Sequence, residues 1–299
     1  MLNAIPFPEI RPEIFTLHVL GHEFSLRWYA LAYILGLLLG WRIIIMLMRR
    51  PRLWGGSVPM AVEEVDDLLT AIILGVILGG RLGFVLFYGF DYYSAHPLDI
   101  LKVWEGGMSF HGGFLGVMVA GIWFARRHKI NAWSLADALA LAAPVGLFFG
   151  RIANFINAEL WGRPTDMPWG VIFPGAAAQD CPGVLTLCAR HPSQLYEAGL
   201  EGLLLGLILW VLVRFGALTR PGLLLGVFLT GYGLARMFVE LFRQADAEFI
   251  TPENPLGHVI GSAEFGLSMG QLLSVPMVLI GMLFVLRAVN RPRIGATEA

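Results

Sequence analysis

Seven apolar stretches, near residues 27–48, 68–88, 109–125, 135–151, 193–214, 222–242 and 270–288, constrain this chain more than any motif does. Each has roughly 17–22 residues, the length of helix that crosses about 30 Å of hydrocarbon. Lipid offers no water to a backbone N–H or C=O, so such stretches fold as helices. The pattern predicts an all-α integral membrane protein with seven transmembrane helices and termini on opposite sides. Composition agrees: 57% of residues are hydrophobic and 14% charged, with a mean hydropathy of +0.68, far from a soluble domain.

The connections alternate in charge. One set carries Arg49, Arg50 and Arg52, then Arg126, Arg127 and Lys129, then Arg214 and Arg220, then Arg287, Arg291 and Arg293. By the positive-inside rule that set is cytoplasmic, which places the amino terminus outside and the carboxyl terminus in the cytoplasm. The outside connection 244–268 is acidic, with Asp246, Glu248, Glu253 and Glu264, and the Pro-, Gly- and Trp-rich connection 152–192 reads as a small external head between the fourth and fifth helices. No internal repeat and no second domain interrupts residues 1–299. The amino terminus lacks a basic start and a compact apolar run ending in small residues, so the first span is expected to act as the targeting signal. Net charge is −1, which suggests no nucleic-acid partner.

A charge at the bilayer centre costs at least about 2.5–3.5 kcal/mol, so ionisable residues within spans are candidates for function. Tyr29 opens the first span, Arg81 lies late in the second, His111 opens the third, Arg151 closes the fourth, and Arg236 and Glu240 sit late in the sixth. With this orientation all share the outer half of the membrane. Arg236 and Glu240 are four apart and can pair, and the plainer reading is that they only neutralise each other. Arg151 and Asn154 share a helical face, with Asn157 and Glu159 following where the chain leaves the membrane. Their plainer reading is capping and snorkelling. The arginines nevertheless outnumber the nearby carboxylates, and an anionic ligand would resolve that imbalance. Phosphate suits arginine forks best. His111, between Ser109 and two glycines, is the candidate proton acceptor. His191, ahead of the helix start at Pro192 and Ser193, reads as structural.

Several motifs can be set aside. Gly266-Leu267-Ser268-Met269-Gly270 matches a hydrolase nucleophile elbow, which needs a strand before the serine. Ser268 instead precedes an apolar helix and is followed three residues later by Gln271, a capping box. Neither a GxxxxGK[ST] loop, an HExxH pair nor a dinucleotide fingerprint is present. The two cysteines, Cys181 and Cys188, have no zinc or haem spacing, and they can form a bridge if their polar loop faces an oxidising compartment.

The stretch GRIANFINAELWGRPT, 150–165, resembles the signature of bacterial prolipoprotein diacylglyceryl transferases. Further matching blocks are LRWYALAYILG at 26–36, GGRLGFVLFY at 79–88, GGMSFHGGFLG at 106–116, HPSQLYEA at 191–198, GYGLARMFVELFR at 231–243 and MGQLLSVPM at 269–277. Ala153 and Ala158 stand where glycine is common in such proteins. The resemblance implies seven helices in a bacterial cytoplasmic (inner) membrane, amino terminus outside, with a site facing the outer leaflet. It implies transfer of the sn-1,2-diacylglyceryl group of phosphatidylglycerol to the lipobox cysteine of a prolipoprotein, with glycerol phosphate released. It carries the functional positions to Tyr29, His111, Arg151, Asn154, Glu159, Gly162, Arg236 and Glu240, and depth alone adds Arg81 as a binding candidate.

Such a reaction needs a thiolate, where a free thiol has a pKa near 8.5, and preorganised cations where the leaving phosphate gains charge. Arg151 and Arg236 are assigned to the phosphate, His111 to the thiol proton, Asn154 and Tyr29 to the headgroup, and Glu159 and Glu240 to holding the arginines. No metal or organic cofactor is required. The rival readings are an anion transporter, whose paired interrupted helices are not found, and a membrane phospholipase using water as acceptor.

Overall fold

The computed structural model describes residues 4–19, 22–181, 187–262 and 265–295. Glu264, one of the acidic residues of the outer connection, lies outside them. The chain is mostly helical. Among the described residues seven long helices are α1 (Trp28–Met48), α2 (Glu64–Tyr88), α3 (Phe110–Arg127), α4 (Ala132–Ile156), α5 (Ser193–Arg214), α6 (Leu223–Val239) and α7 (Met269–Val289). Five of them, α1, α2, α4, α5 and α7, have the length and hydropathy to cross a membrane. α3 carries His111, Arg126 and Arg127 in 18 residues, and α6 is apolar with 17. Leu78, Leu82 and Leu86 on α2 and Leu279 and Leu283 on α7 are all more than half exposed. Rows of this kind facing water would be an aggregation liability and are ordinary against lipid tails; the molecule is a multi-pass membrane protein.

Local chemistry sets the helix ends. Ser268 accepts from the Gln271 N–H at 3.2 Å while the Gln271 side chain accepts from the Ser268 N–H at 3.1 Å, the reciprocal cap that the spacing predicts. Asn131 caps α4 through Trp133 and Ser134. Ser109 caps α3. α4 runs past Arg151 to Ile156, so the head begins at Asn157, later than the apolar run suggests, and Arg151 lies within the last two turns. α6 ends at Val239 with Glu240 as its cap residue.

α2 and α3 meet along glycines spaced four apart, Gly75, Gly79 and Gly83 against Gly112 and Gly116; a methyl on Gly83 would lie 2.7 Å from the Gly112 Cα. Small residues of this kind let backbones approach where lipid removes the hydrophobic drive between helices. The apolar core gathers Leu47, Trp54, Leu68, Phe124, Leu209 and Leu224. Beside it Asp137, fully buried on α4, accepts from Gly222 N at 2.7 Å and Leu225 N at 2.8 Å. It thereby satisfies free N–H groups at the start of α6.

The residues beyond the other ends of the helices form small β elements that hydropathy does not foresee. A hairpin, β1 (Glu13–Val19) with β2 (His22–Arg27), leads into α1. Ile5–Pro6 pairs in parallel with Val171–Ile172 of the head. Gly162 forms a bridge with Arg243, and Arg163 N donates to Phe242 O at 2.8 Å. The amino-terminal segment, the head and the segment after α6 are thus tied together. Cys181 and Cys188 of the head are joined by a disulfide.

Candidate active site

Three helices bring their charges to one place. α4 supplies Arg151 and Asn154, α5 supplies Glu197 and Glu201, and α6 supplies Tyr232 and Arg236, with Glu240 and Arg243 just beyond it. Glu197 is the hub. Its Oε2 lies 3.2 Å from Arg151 Nε, and its Oε1 pairs with Arg236 Nη1. Arg236 Nη2 pairs with Glu240, which also receives Arg243 Nη1 at 3.7 Å and the Ser268 hydroxyl at 2.7 Å. Arg151 Nη2 faces Glu201 at 3.7 Å. Glu197 and Glu201 have no exposed surface. Breaking such a pair by removing one partner costs about 3–5 kcal/mol, because it strands a buried charge.

Glu201 lies on a π-helical segment of α5, Ala198–Leu204, a distortion frequent at functional sites. Neither of its carboxylate oxygens has a hydrogen-bond donor.

The candidates from sequence do not all meet. Arg151, Asn154, Glu159, Arg236 and Glu240 come together: Asn154 Nδ2 donates to Glu159 Oε1 at 2.7 Å, and Arg151 Nη1 to Asn154 Oδ1 at 3.5 Å. Tyr29 is linked to them only through Tyr33: its ring packs 5.2 Å from that of Tyr33, which lies within the electrostatic reach of Arg151 and Glu159. Arg81 does not join the cluster. It is buried on α2 and donates to the carbonyls of Asp99 (2.6 Å), Ile100 (2.8 Å), Lys102 (3.2 Å), Gly106 (2.6 Å) and Gly107 (3.3 Å). The loop 97–107 takes up its fork. His111 is exposed and packs edge-on against Phe110. Among the described residues it makes no hydrogen bond or ion pair.

Gly162 is a junction. Its N–H donates to His191 O at 2.8 Å, and a methyl there would meet His191 Cβ at 2.7 Å. Arg190 is buried beneath it, donating to Gly162 O at 3.3 Å and lying 4.1 Å over the Trp161 ring. Ala158 and Leu160 both adopt left-handed backbone, φ 52° and 57°. The first explains why glycine suits that place, since a Cβ in this conformation costs about 1–2 kcal/mol.

Glu197, Glu201, Tyr232 and Arg243 were missed. The signal was available: two glutamates four apart inside the apolar run 193–214 meet the same criterion that singled out Arg151. They also correct the expected surplus of arginine. Arg151, Arg236 and Arg243 face Glu197, Glu201 and Glu240, three against three. An open cavity of about 250 Å³ lies beside Glu240, lined by Arg163, His258, Phe265, Ser268 and Gln271. Among the described residues no group of three His, Cys, Asp or Glu side chains is placed to hold a metal ion.

A multi-pass helical membrane protein with a buried arginine–glutamate cluster is the class these features define. Residues 15–287 match the family model described as prolipoprotein diacylglyceryl transferase. The chain is 62% identical over 288 residues to a Cereibacter sphaeroides protein named phosphatidylglycerol–prolipoprotein diacylglyceryl transferase, covering 96% of this chain and 99% of that one. It is 61% identical to a Ruegeria pomeroyi protein of the same name (96% and 98% covered) and 47% identical to one from Bradyrhizobium diazoefficiens (96% and 94%). The chain belongs to the prolipoprotein diacylglyceryl transferase family.

Two outcomes are expected from the head. Ala158→Gly relieves the left-handed backbone and raises stability by about 1 kcal/mol, read from thermal unfolding in detergent. Burial lowers the His191 imidazole below its ordinary value. The unfolded chain therefore takes up that proton first, and stability, complete above pH ~6.5, is lost as the pH falls from there through the lowered value of the folded chain. His191→Gln is expected to flatten this acid limb in unfolding midpoints measured across pH.

Proposed function

We propose that the chain moves the sn-1,2-diacylglyceryl group of phosphatidylglycerol onto the lipobox cysteine thiol of a prolipoprotein, in the buried cluster around Arg151 and Arg236. One observation carries the placement: two guanidiniums from different helices converge on a single fully buried glutamate. The glyceryl carbon–phosphate oxygen bond breaks, a carbon–sulfur bond forms, and the phosphate leaves with the bonding electrons on glycerol phosphate. Arg151 and Arg236 hold the charge that develops there. Asn154 and Tyr29 orient the headgroup, and Glu159 braces Asn154, to which it is hydrogen-bonded. Glu240 fixes Arg236. His111 accepts the thiol proton. Arg81 serves the site through the loop 97–107, which it ties down, and Gly162 by letting the head close on His191.

On the same reading all seven long helices cross a bacterial inner membrane, with the amino terminus outside, the carboxyl terminus cytoplasmic, and an external head over residues 157–192. The basic connections support the orientation. The Cys181–Cys188 bridge suits an oxidising compartment. Pairing of Ile5–Pro6 with Val171–Ile172 supports placing both on one side, as four crossings between them require.

The test supplies phosphatidylglycerol and a lipobox peptide to the purified protein and follows the diacylglyceryl adduct by mass spectrometry. Wild type yields the thioether, and a peptide with Cys replaced by Ser yields none. Diacylglycerol from hydrolysis, with no peptide adduct, would mark a phospholipase. Arg151→Lys keeps the charge and loses the fork, so transfer is expected to fall about 10²-fold or more; near wild-type rates would sink the bidentate role. His111→Gln is expected to lower turnover and displace the pH–rate profile, whereas an unchanged rate and profile would remove histidine from the mechanism.

A further inference from the structure

Glu201 is the ionisable side chain of the cluster with the poorest company. It has no exposed surface, neither carboxylate oxygen receives a hydrogen bond, and its one ion-pair contact, Arg151 Nη2, is at 3.7 Å. Glu197 and Glu240, by contrast, each engage two arginines at once. The other groups facing Glu201 are Glu197 on its own helix, Arg236 and Tyr232 on α6, and Arg243 beyond it. A carboxylate there must give up its hydration for one long contact, next to a like charge one turn away, and such a group takes a proton instead.

The charge balance points the same way. With every group ionised, Arg151, Arg236 and Arg243 are cancelled by Glu197, Glu201 and Glu240. Arg163, which feels Glu240, and Glu159, bonded to Asn154, add one of each sign. Such a cluster has no net attraction for an anion. We propose that Glu201 is held protonated and neutral, leaving the buried arginines one net positive charge to match the single negative charge of a phosphodiester. Glu201 is then a positioning residue that sets the charge of the site through Arg151. The inference rests on the proposed phosphate role of Arg151 and Arg236.

Two measurements on the full-length protein test it. In the first, infrared spectra of wild type in lipid nanodiscs show a protonated carboxylic acid C=O band that Glu201→Gln lacks. A wild-type spectrum unaltered in this region by Glu201→Gln overturns the proposal whatever the lipid does. In the second, binding of phosphatidylglycerol alone is titrated from neutral to alkaline pH. Wild-type affinity weakens by about 10-fold, within the usual range of a coupling between two binding events, as Glu201 loses its proton. Glu201→Gln, which has no proton to lose, holds its affinity, and Tyr232→Phe keeps the wild-type weakening. Alkaline weakening that persists in Glu201→Gln, or failure of this neutral isostere to fold, overturns the proposal. Arg151→Lys separates the two readings: lipid affinity unchanged there discards the phosphate site itself, while the infrared band still judges the proton on Glu201.

Discussion

Glu197 shared between Arg151 and Arg236 is the interaction on which the rest of the site depends. An arginine inside a span is costly unless its donors are taken up; Arg81 spends its donors on carbonyls, whereas Arg151 and Arg236 would repel each other across the bundle. A carboxylate between them turns the repulsion into cohesion and couples α4 to α6, with α5, which packs against both, delivering it. The same interaction explains the length of α4, which must continue beyond its most apolar stretch to carry Arg151 and Asn154 to the level of Glu197. It explains the second tier as well. Glu240 takes the other side of Arg236, Ser268 donates to Glu240, and the cap of α7 is thereby tied to the cluster.

The fold divides labour along the helices. One end is held by apolar packing around Leu47, Trp54, Phe124 and Leu209 and by Asp137, whose carboxylate caps α6 from a neighbouring helix. The other end is polar, and its order comes from connections stitched to one another: Gly162 to His191, Arg163 to Phe242, Ile5 to Gly170. Glycine lines the contact between α2 and α3 because helices in lipid gain by close approach more than by burying leucine. The arm that follows α2 is held by backbone carbonyls wrapped around the Arg81 guanidinium.

Much of this was legible in the sequence. Helix positions were, because lipid forces apolar runs into helices, and so was the Ser268 cap, because its chemistry is local. What escaped was direction. Hydropathy and positive-inside counting assign depth to Arg81 and Arg151 alike, yet one turns to a surface loop and the other to the bundle interior; depth does not encode the face of the helix. Glu197 and Glu201 were hidden for a different reason. Their helix opens with the turn signal His191-Pro192-Ser193, which draws attention to the helix start and away from the two carboxylates a turn and two turns inside. The short strands carry almost no period and could not be read from pattern.

The two arginines are not equivalent, which refines how a phosphate would be held. Both terminal nitrogens of Arg236 are committed, one to Glu197 and the other to Glu240. Those of Arg151 are loosely engaged, at 3.5 Å from Asn154 Oδ1 and 3.7 Å from Glu201 Oε2, while its Nε keeps the 3.2 Å contact with Glu197. An incoming phosphate oxygen can therefore take the Arg151 fork by displacing only loose contacts and the Tyr232 hydroxyl, whereas taking that of Arg236 would unmake the bridge between two glutamates. On the proposed reading Arg151 grips the headgroup and Arg236 supplies a fixed positive field behind it. Such a field suits catalysis because it needs no reorganisation as charge develops on the leaving oxygen. The preorganisation comes from Glu197, Glu240 and Ser268, side chains with no need to touch the lipid.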